Sequence, residues 1–211
     1  MEEEYRSFVG MHPVPVVYGM TIGEYALMIN GEGWLANGIQ CDLTVIPCTT
    51  YHHNREYNPP VKPSPNLPDL QAIRLYPSLC FFEGTTVSIG RGTSFPFKVY
   101  GHPMLDNKPF RFTPESVTAA TKPKWEGETC YGYDLSNYPA GIDQQNKLNL
   151  NWLITAYRDL HEETVFFNPY FEKLAGTASL RKQIERGWTE DEIRDSWNPG
   201  ISDFLIIREK Y

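Results

Sequence analysis

Tyr76–Pro103 reads YPSLCFFEGTTVSIGRGTSFPFKVYGHP, and its alternation of apolar runs with glycine and proline turns decides how the chain is organised. Thr85–Ile89 and Phe97–Tyr100 predict two strands joined through the turn Gly90-Arg91-Gly92-Thr93. Glycine permits turns and close approaches that a side chain would block. Polar groups held at strand ends between such turns commonly line a site. The stretch offers one carboxylate (Glu83), one guanidinium (Arg91) and the hydroxyls of Thr85 and Thr93. A guanidinium grips a carboxylate through two parallel hydrogen bonds, so Arg91 suits an acidic ligand or an internal pair with Glu83. The two threonines either reach ligand hydroxyls or cap their own turns. His102, just before Pro103, lines the same cleft or closes a turn.

Upstream, Thr21-Ile22-Gly23-Glu24 is a capping box, and Ile22, Tyr25, Ala26 and Ile29 follow at helical spacing. They predict a helix to about Asn30, ended by Gly31 and Gly33. Val14–Tyr18, punctuated by proline, reads as an edge strand or an extended entry. Asp42–Cys48 (DLTVIPC) reads as a buried strand, and helix followed by strand fits the closing unit of an α/β domain. Thr49–Pro68 is a polar connection with five prolines, long enough to be functional or a linker. Asp69 caps a helix running toward Leu79, which Pro77 kinks or ends.

Downstream, Phe110–Phe112 and Thr129–Asp134 are strand candidates. Leu148, Trp152, Leu153, Ala156, Tyr157 and Leu160 share one helical face. A further helix starts at Thr177 or Ser179 and closes at Gly187. Thr189–Glu192 forms a second capping box, and Asn198-Pro199 reads as the start of a final helix. The fold class expected is α+β, with a mixed sheet and several C-terminal helices. Residues 1–49 are expected to form the closing segment of an α/β domain, and residues 50–211 a second, α+β domain.

Nineteen basic against 26 acidic residues give a net charge of −7 without long runs, which disfavours nucleic acid and anionic membranes as partners. No apolar stretch is long enough to span a bilayer, and no signal-peptide pattern opens the chain. Cys41, Cys48, Cys80 and Cys130 are scattered, without a CxxC pair, and each is expected to behave as a small hydrophobe in an apolar run. His52 and His53 are adjacent, so they do not converge on one metal ion. No metal or cofactor is expected.

EGTTVSIGRGTSFPF with the following GHP, the segment Glu4–Glu24, the loop Ser64–Pro68 (SPNLP), Phe171–Trp197 and the final REKY together resemble the exo-β-N-acetylmuramidase family. These are the NamZ-like peptidoglycan-recycling glycoside hydrolases, formerly a domain of unknown function. The resemblance implies a Rossmann-like α/β domain with Gly-Pro-Glu-His-Gly and Asp-Arg-Pro-Asn-Pro loops, and neither string occurs in these 211 residues. The chain is therefore expected to correspond to the C-terminal half of such an enzyme and to be inactive alone. By the same resemblance the partner is a muropeptide or other peptidoglycan-derived saccharide, in a bacterial periplasm or cell envelope. The intact enzyme would release N-acetylmuramic acid from the non-reducing end. Arg91 would then meet the lactyl carboxylate, and Glu83 would be a catalytic carboxyl or line the cleft. Thr85, Thr93, Ser64, Asn66, His102 and Glu24 would be further substrate contacts. A non-catalytic saccharide-binding or structural module is the alternative.

Overall fold

Asp69 caps the helix that follows it: its carboxylate accepts from the Ala72 amide at 2.9 Å. The computed structural model describes residues 1–139 and 147–211. The order of the main elements is α1 (Ile22–Gly31), α2 (Leu70–Leu79), β1 (Val99–His102), β2 (Phe110–Phe112), β3 (Cys130–Asp134), α3 (Asn151–Leu160), α4 (Phe171–Ala175), α5 (Ser179–Glu185) and α6 (Glu190–Arg208). This is an α+β fold.

The capping boxes at Thr21 and Thr189 form as their sequences require, each with a glutamate reaching back to the cap amide. Pro77 lies inside α2, whose last turn tightens into a 3₁₀ turn over Cys80–Gly84. Phe81 and Phe82 of that turn enter the core with Leu79, Leu153, Phe171 and Ile184. Burying such side chains is the main favourable contribution to folding. β3 lies between β1 and β2, antiparallel to both, with Tyr100 opposite Tyr133 and Phe112 opposite Cys130.

Several elements differ from the sequence reading. The sheet is antiparallel throughout among the described residues, because both neighbours of β3 run against it. Thr85–Ile89 makes isolated bridges, Thr85 to Phe167 and Ser88 to Gly101, instead of a strand. Its amides and carbonyls are engaged by turns and side chains, which leaves no continuous ladder. Asp42–Cys48 is exposed and unpaired, pinned to α1 through Asn30, which exchanges hydrogen bonds of 3.0 and 2.7 Å with the Cys41 backbone. β-Branched residues favour extended backbone, but a strand also needs a neighbour to bond. Val14–Tyr18 likewise has no ladder partner and remains an extended entry. Asn198-Pro199 does not open a helix but lies inside α6, which continues through Pro199. Cys80 and Cys130 are buried, whereas Cys41 and Cys48 are exposed, and all four are free thiols.

The N-terminal segment is tied to the C-terminal helices by polar contacts. Glu2 meets the Gly176 carbonyl and the Thr177 hydroxyl, and Glu32 accepts from Lys210 and Tyr211 at 2.9 and 2.8 Å.

Candidate functional site

The 3₁₀ turn after α2 places Glu83 at the surface while its neighbours Phe82 and Gly84 are buried. Arg91 projects from a turn whose two glycines, Gly90 and Gly92, have φ of 74° and 84°, a conformation costly for any other residue. Glu83 and Arg91 meet: Arg91 Nη1 donates to Glu83 Oε1 at 3.1 Å, with side-chain exposures of 41% for Arg91 and 26% for Glu83. The contact uses one N–H of the fork and stays open to solvent. Arg91 Nε is buried and has no partner among the described residues.

The hydroxyls around this pair are bonded within the chain. Thr85, 1% exposed, donates to the Phe82 carbonyl at 2.9 Å and accepts from the Val87 amide at 3.1 Å. Thr93 donates to the Gly90 carbonyl at 2.7 Å and accepts from the Phe95 amide at 3.0 Å. Both shape the turns that carry Glu83 and Arg91. His102 is fully buried behind them. The Met104 amide donates to its Nδ1 at 3.1 Å, so the ring proton sits on Nε2 and points to Thr86 Oγ1 at 3.2 Å. Burial lowers its pKa to about 4, and the ring stays neutral.

Ser64 and Asn66 form a turn in which the Asn66 amide donates to Ser64 Oγ at 3.2 Å. The Asn66 side chain donates to the Ala119 carbonyl at 3.0 Å, which anchors this turn to the loop leading into β3. Glu24 closes its capping box, and His53 Nε2 lies 3.0 and 3.1 Å from its two oxygens. That contact, with the Thr21 hydrogen bonds, holds the Glu24 carboxyl below its usual range. The structure thus gathers Glu83, Arg91, Thr85 and Thr93 in one loop cluster with His102 beneath it. Ser64 and Asn66 join through the loop leading into β3, and Glu24 belongs to a separate contact with His53.

Sequence reasoning missed two residues of this cluster. Lys124 Nζ reaches the carbonyls of Phe82, Glu83, Thr85 and Val87 at 2.8, 3.2, 2.6 and 3.3 Å. Trp125 Nε1 donates to the Thr86 carbonyl at 2.8 Å, from a backbone with φ of 60°. These contacts span 37 to 42 residues, so no local pattern announces them. Two surface depressions of about 440 and 430 Å³ lie elsewhere, one along α6 and one around Tyr157 and Val165, and neither is lined by Glu83 or Arg91.

The family model for the C-terminal part of exo-β-N-acetylmuramidase NamZ matches residues 74–211, and the model for its N-terminal part matches residues 1–71. The peptidoglycan β-N-acetylmuramidase NamZ of Bacillus subtilis strain 168 is 33% identical over 228 residues, covering 100% of this chain and 54% of that protein. Among solved structures, a DUF1343 family protein from Bacteroides fragilis NCTC 9343 has a TM-score of 0.95 at 47% identity, covering 100% of this chain and 60% of the other. A second DUF1343 family protein from the same strain, with a TM-score of 0.77 at 20% identity, shares the fold. The chain spans about half the length of the curated relative it matches.

Proposed function

Because the chain belongs to the exo-β-N-acetylmuramidase NamZ family, we propose that it supplies one wall of a saccharide site in a glycoside hydrolase. That enzyme would release terminal N-acetylmuramic acid from the non-reducing end of peptidoglycan fragments in the bacterial envelope. The observation that carries this reading is the half-exposed Arg91 side chain, set between two left-handed glycines, bonded to Glu83 through a single N–H and with its buried Nε unpaired among the described residues. The lactyl carboxylate of N-acetylmuramic acid is the group such a fork recognises.

Glycoside hydrolysis needs two carboxyls, one to protonate the leaving oxygen and one to assist attack or stabilise positive charge on the sugar ring. Among the described residues Glu83 is the carboxylate paired with Arg91. In this proposal the second carboxyl comes from the part of the enzyme these 211 residues do not include, and the chain by itself binds without cleaving. Calorimetric titration with an N-acetylmuramic acid-terminated disaccharide tests the reading. The wild-type chain should bind, and Arg91→Ala should weaken binding by roughly tenfold or more, as expected for loss of a charge-assisted hydrogen bond. Equal affinity of the two proteins would refute the role of Arg91. Rapid hydrolysis of a chromogenic muramic acid glycoside by the chain alone would refute the need for a second wall.

A further inference from the structure

Lys124 is a part-buried cation whose four close partners are backbone carbonyls, with no carboxylate among them. With Trp125 it engages the carbonyls of Phe82, Glu83, Thr85, Thr86 and Val87, almost the whole run of chain that carries Glu83. Two features show that this arrangement is held against a cost. Trp125 occupies the left-handed region at φ 60°, where a bulky side chain is strained. Removing an ammonium from water without an opposite charge in contact is also unfavourable, a cost partly offset by the carbonyls it satisfies.

We propose that Lys124 is the positioning residue of this site, fixing the Phe82–Val87 chain beneath Glu83 and leaving the group Glu83, Arg91 and Lys124 positive overall, so that it favours an acidic sugar over a neutral one. This rests on the saccharide reading above. Two cations against one carboxylate form a local surplus of positive charge in a chain whose net charge is −7. Every N–H of the ammonium has carbonyls within reach, so Lys124 acts through the loop and through its field rather than by touching the ligand.

The charge on Lys124 can be switched without mutation. Desolvation lowers its pKa to about 8, with Glu83 acting to raise it and Arg91 to lower it. His102 and Cys80, which lie behind this region, keep their protonation states between pH 7 and 9.5. His102 titrates at about 4, burial pushes Cys80 to about 12, and Tyr76 and Tyr170 are raised above the ordinary tyrosine value of 10.0. Lys122 and Glu126, on the same strap as Lys124, are exposed.

The test measures binding of N-acetylmuramic acid and of N-acetylglucosamine, which lacks the lactyl carboxylate, to the 211-residue chain and to Lys124→Met. At pH 7 the wild type should prefer the acidic sugar about tenfold, and this preference should fall at least fivefold at pH 9.5. Lys124→Met should show the reduced preference already at pH 7, with no further fall at pH 9.5. A preference that survives both the substitution and the pH change overturns the proposal. If Lys124→Met does not fold, as judged by circular dichroism, the wild-type pH profile decides alone. Should the wild type bind neither sugar, the saccharide reading and the selectivity claim both fall. The positioning claim is then judged on the ligand-free chain, where the backbone amide resonances of Gly84–Val87 should move together with a midpoint near 8. Resonances that stay fixed through that range overturn it.

Discussion

Substituting Gly84 with alanine adds a single carbon at a crowded point behind the candidate site. That Cβ would lie 2.5 Å from Phe171 Cα, 2.8 Å from its Cβ and 2.9 Å from its amide nitrogen. Two of these are backbone atoms of the first residue of α4, so no rotamer change relieves the contact. Gly84 also accepts from the Asn168 amide at 3.0 Å, and the Phe171 ring lies 4.5 Å from that of Phe167, so moving α4 disturbs further packing. Overpacking of this kind costs about 1–3 kcal/mol, and the backbone contact places Gly84→Ala at the upper end. At about 2–4 °C per kcal/mol for a chain of this size, melting should drop by roughly 6–12 °C. Gly200→Ala is the opposite case, a helical glycine with nothing within 4 Å of the added carbon. It should gain about 0.5–1 kcal/mol from helix propensity. Thermal melts of both variants by circular dichroism make the comparison. A Gly84→Ala chain melting at or above the wild type would refute the claim that this glycine exists to let Phe171 approach.

Acidification should reveal His102. Its folded pKa of about 4 lies below the ordinary unfolded value of about 6.5, so between those values the unfolded state binds the extra proton. Its contribution is complete above about pH 6.5 and falls as pH is lowered, by about 2 kcal/mol at pH 5, and levels off below about 4. Urea melts at pH 7.5 and 5 should show a smaller drop for His102→Asn than for the wild type, and equal drops would contradict the buried neutral ring. Arg91→Ala should change stability by at most about 1 kcal/mol, because an open ion pair contributes little. A large loss in urea melts would mean that the guanidinium is a structural support.

The local features were legible in the sequence. Asp69, Thr21 and Thr189 cap helices because a short polar side chain three residues before an amide has a defined partner within the same turn. Glu83 and Arg91 were readable as a pair because eight residues and one turn separate them. The misreadings arise where distant chain decides. Asp42–Cys48 has a strand composition but no neighbour to bond, and Asn198-Pro199 stays helical inside α6 although the dipeptide favours a break. Thr85 looked like a ligand contact because its hydroxyl sits among glycines, yet its bonds go to Phe82 and Val87. Lys124 and Trp125 were not legible, since their partners lie about forty residues upstream and nothing in their own neighbourhood demands them.

If the Arg91 turn faces an acidic amino sugar, side-chain NMR will register the sugar at that turn. On titration with N-acetylmuramic acid, the Arg91 Nε–H signal and the Gly90 and Gly92 amides should shift together and saturate, with much smaller shifts for N-acetylglucosamine. If these three signals remain in place while resonances elsewhere in the chain respond to the sugar, the sugar site lies elsewhere and Arg91 has no part in it.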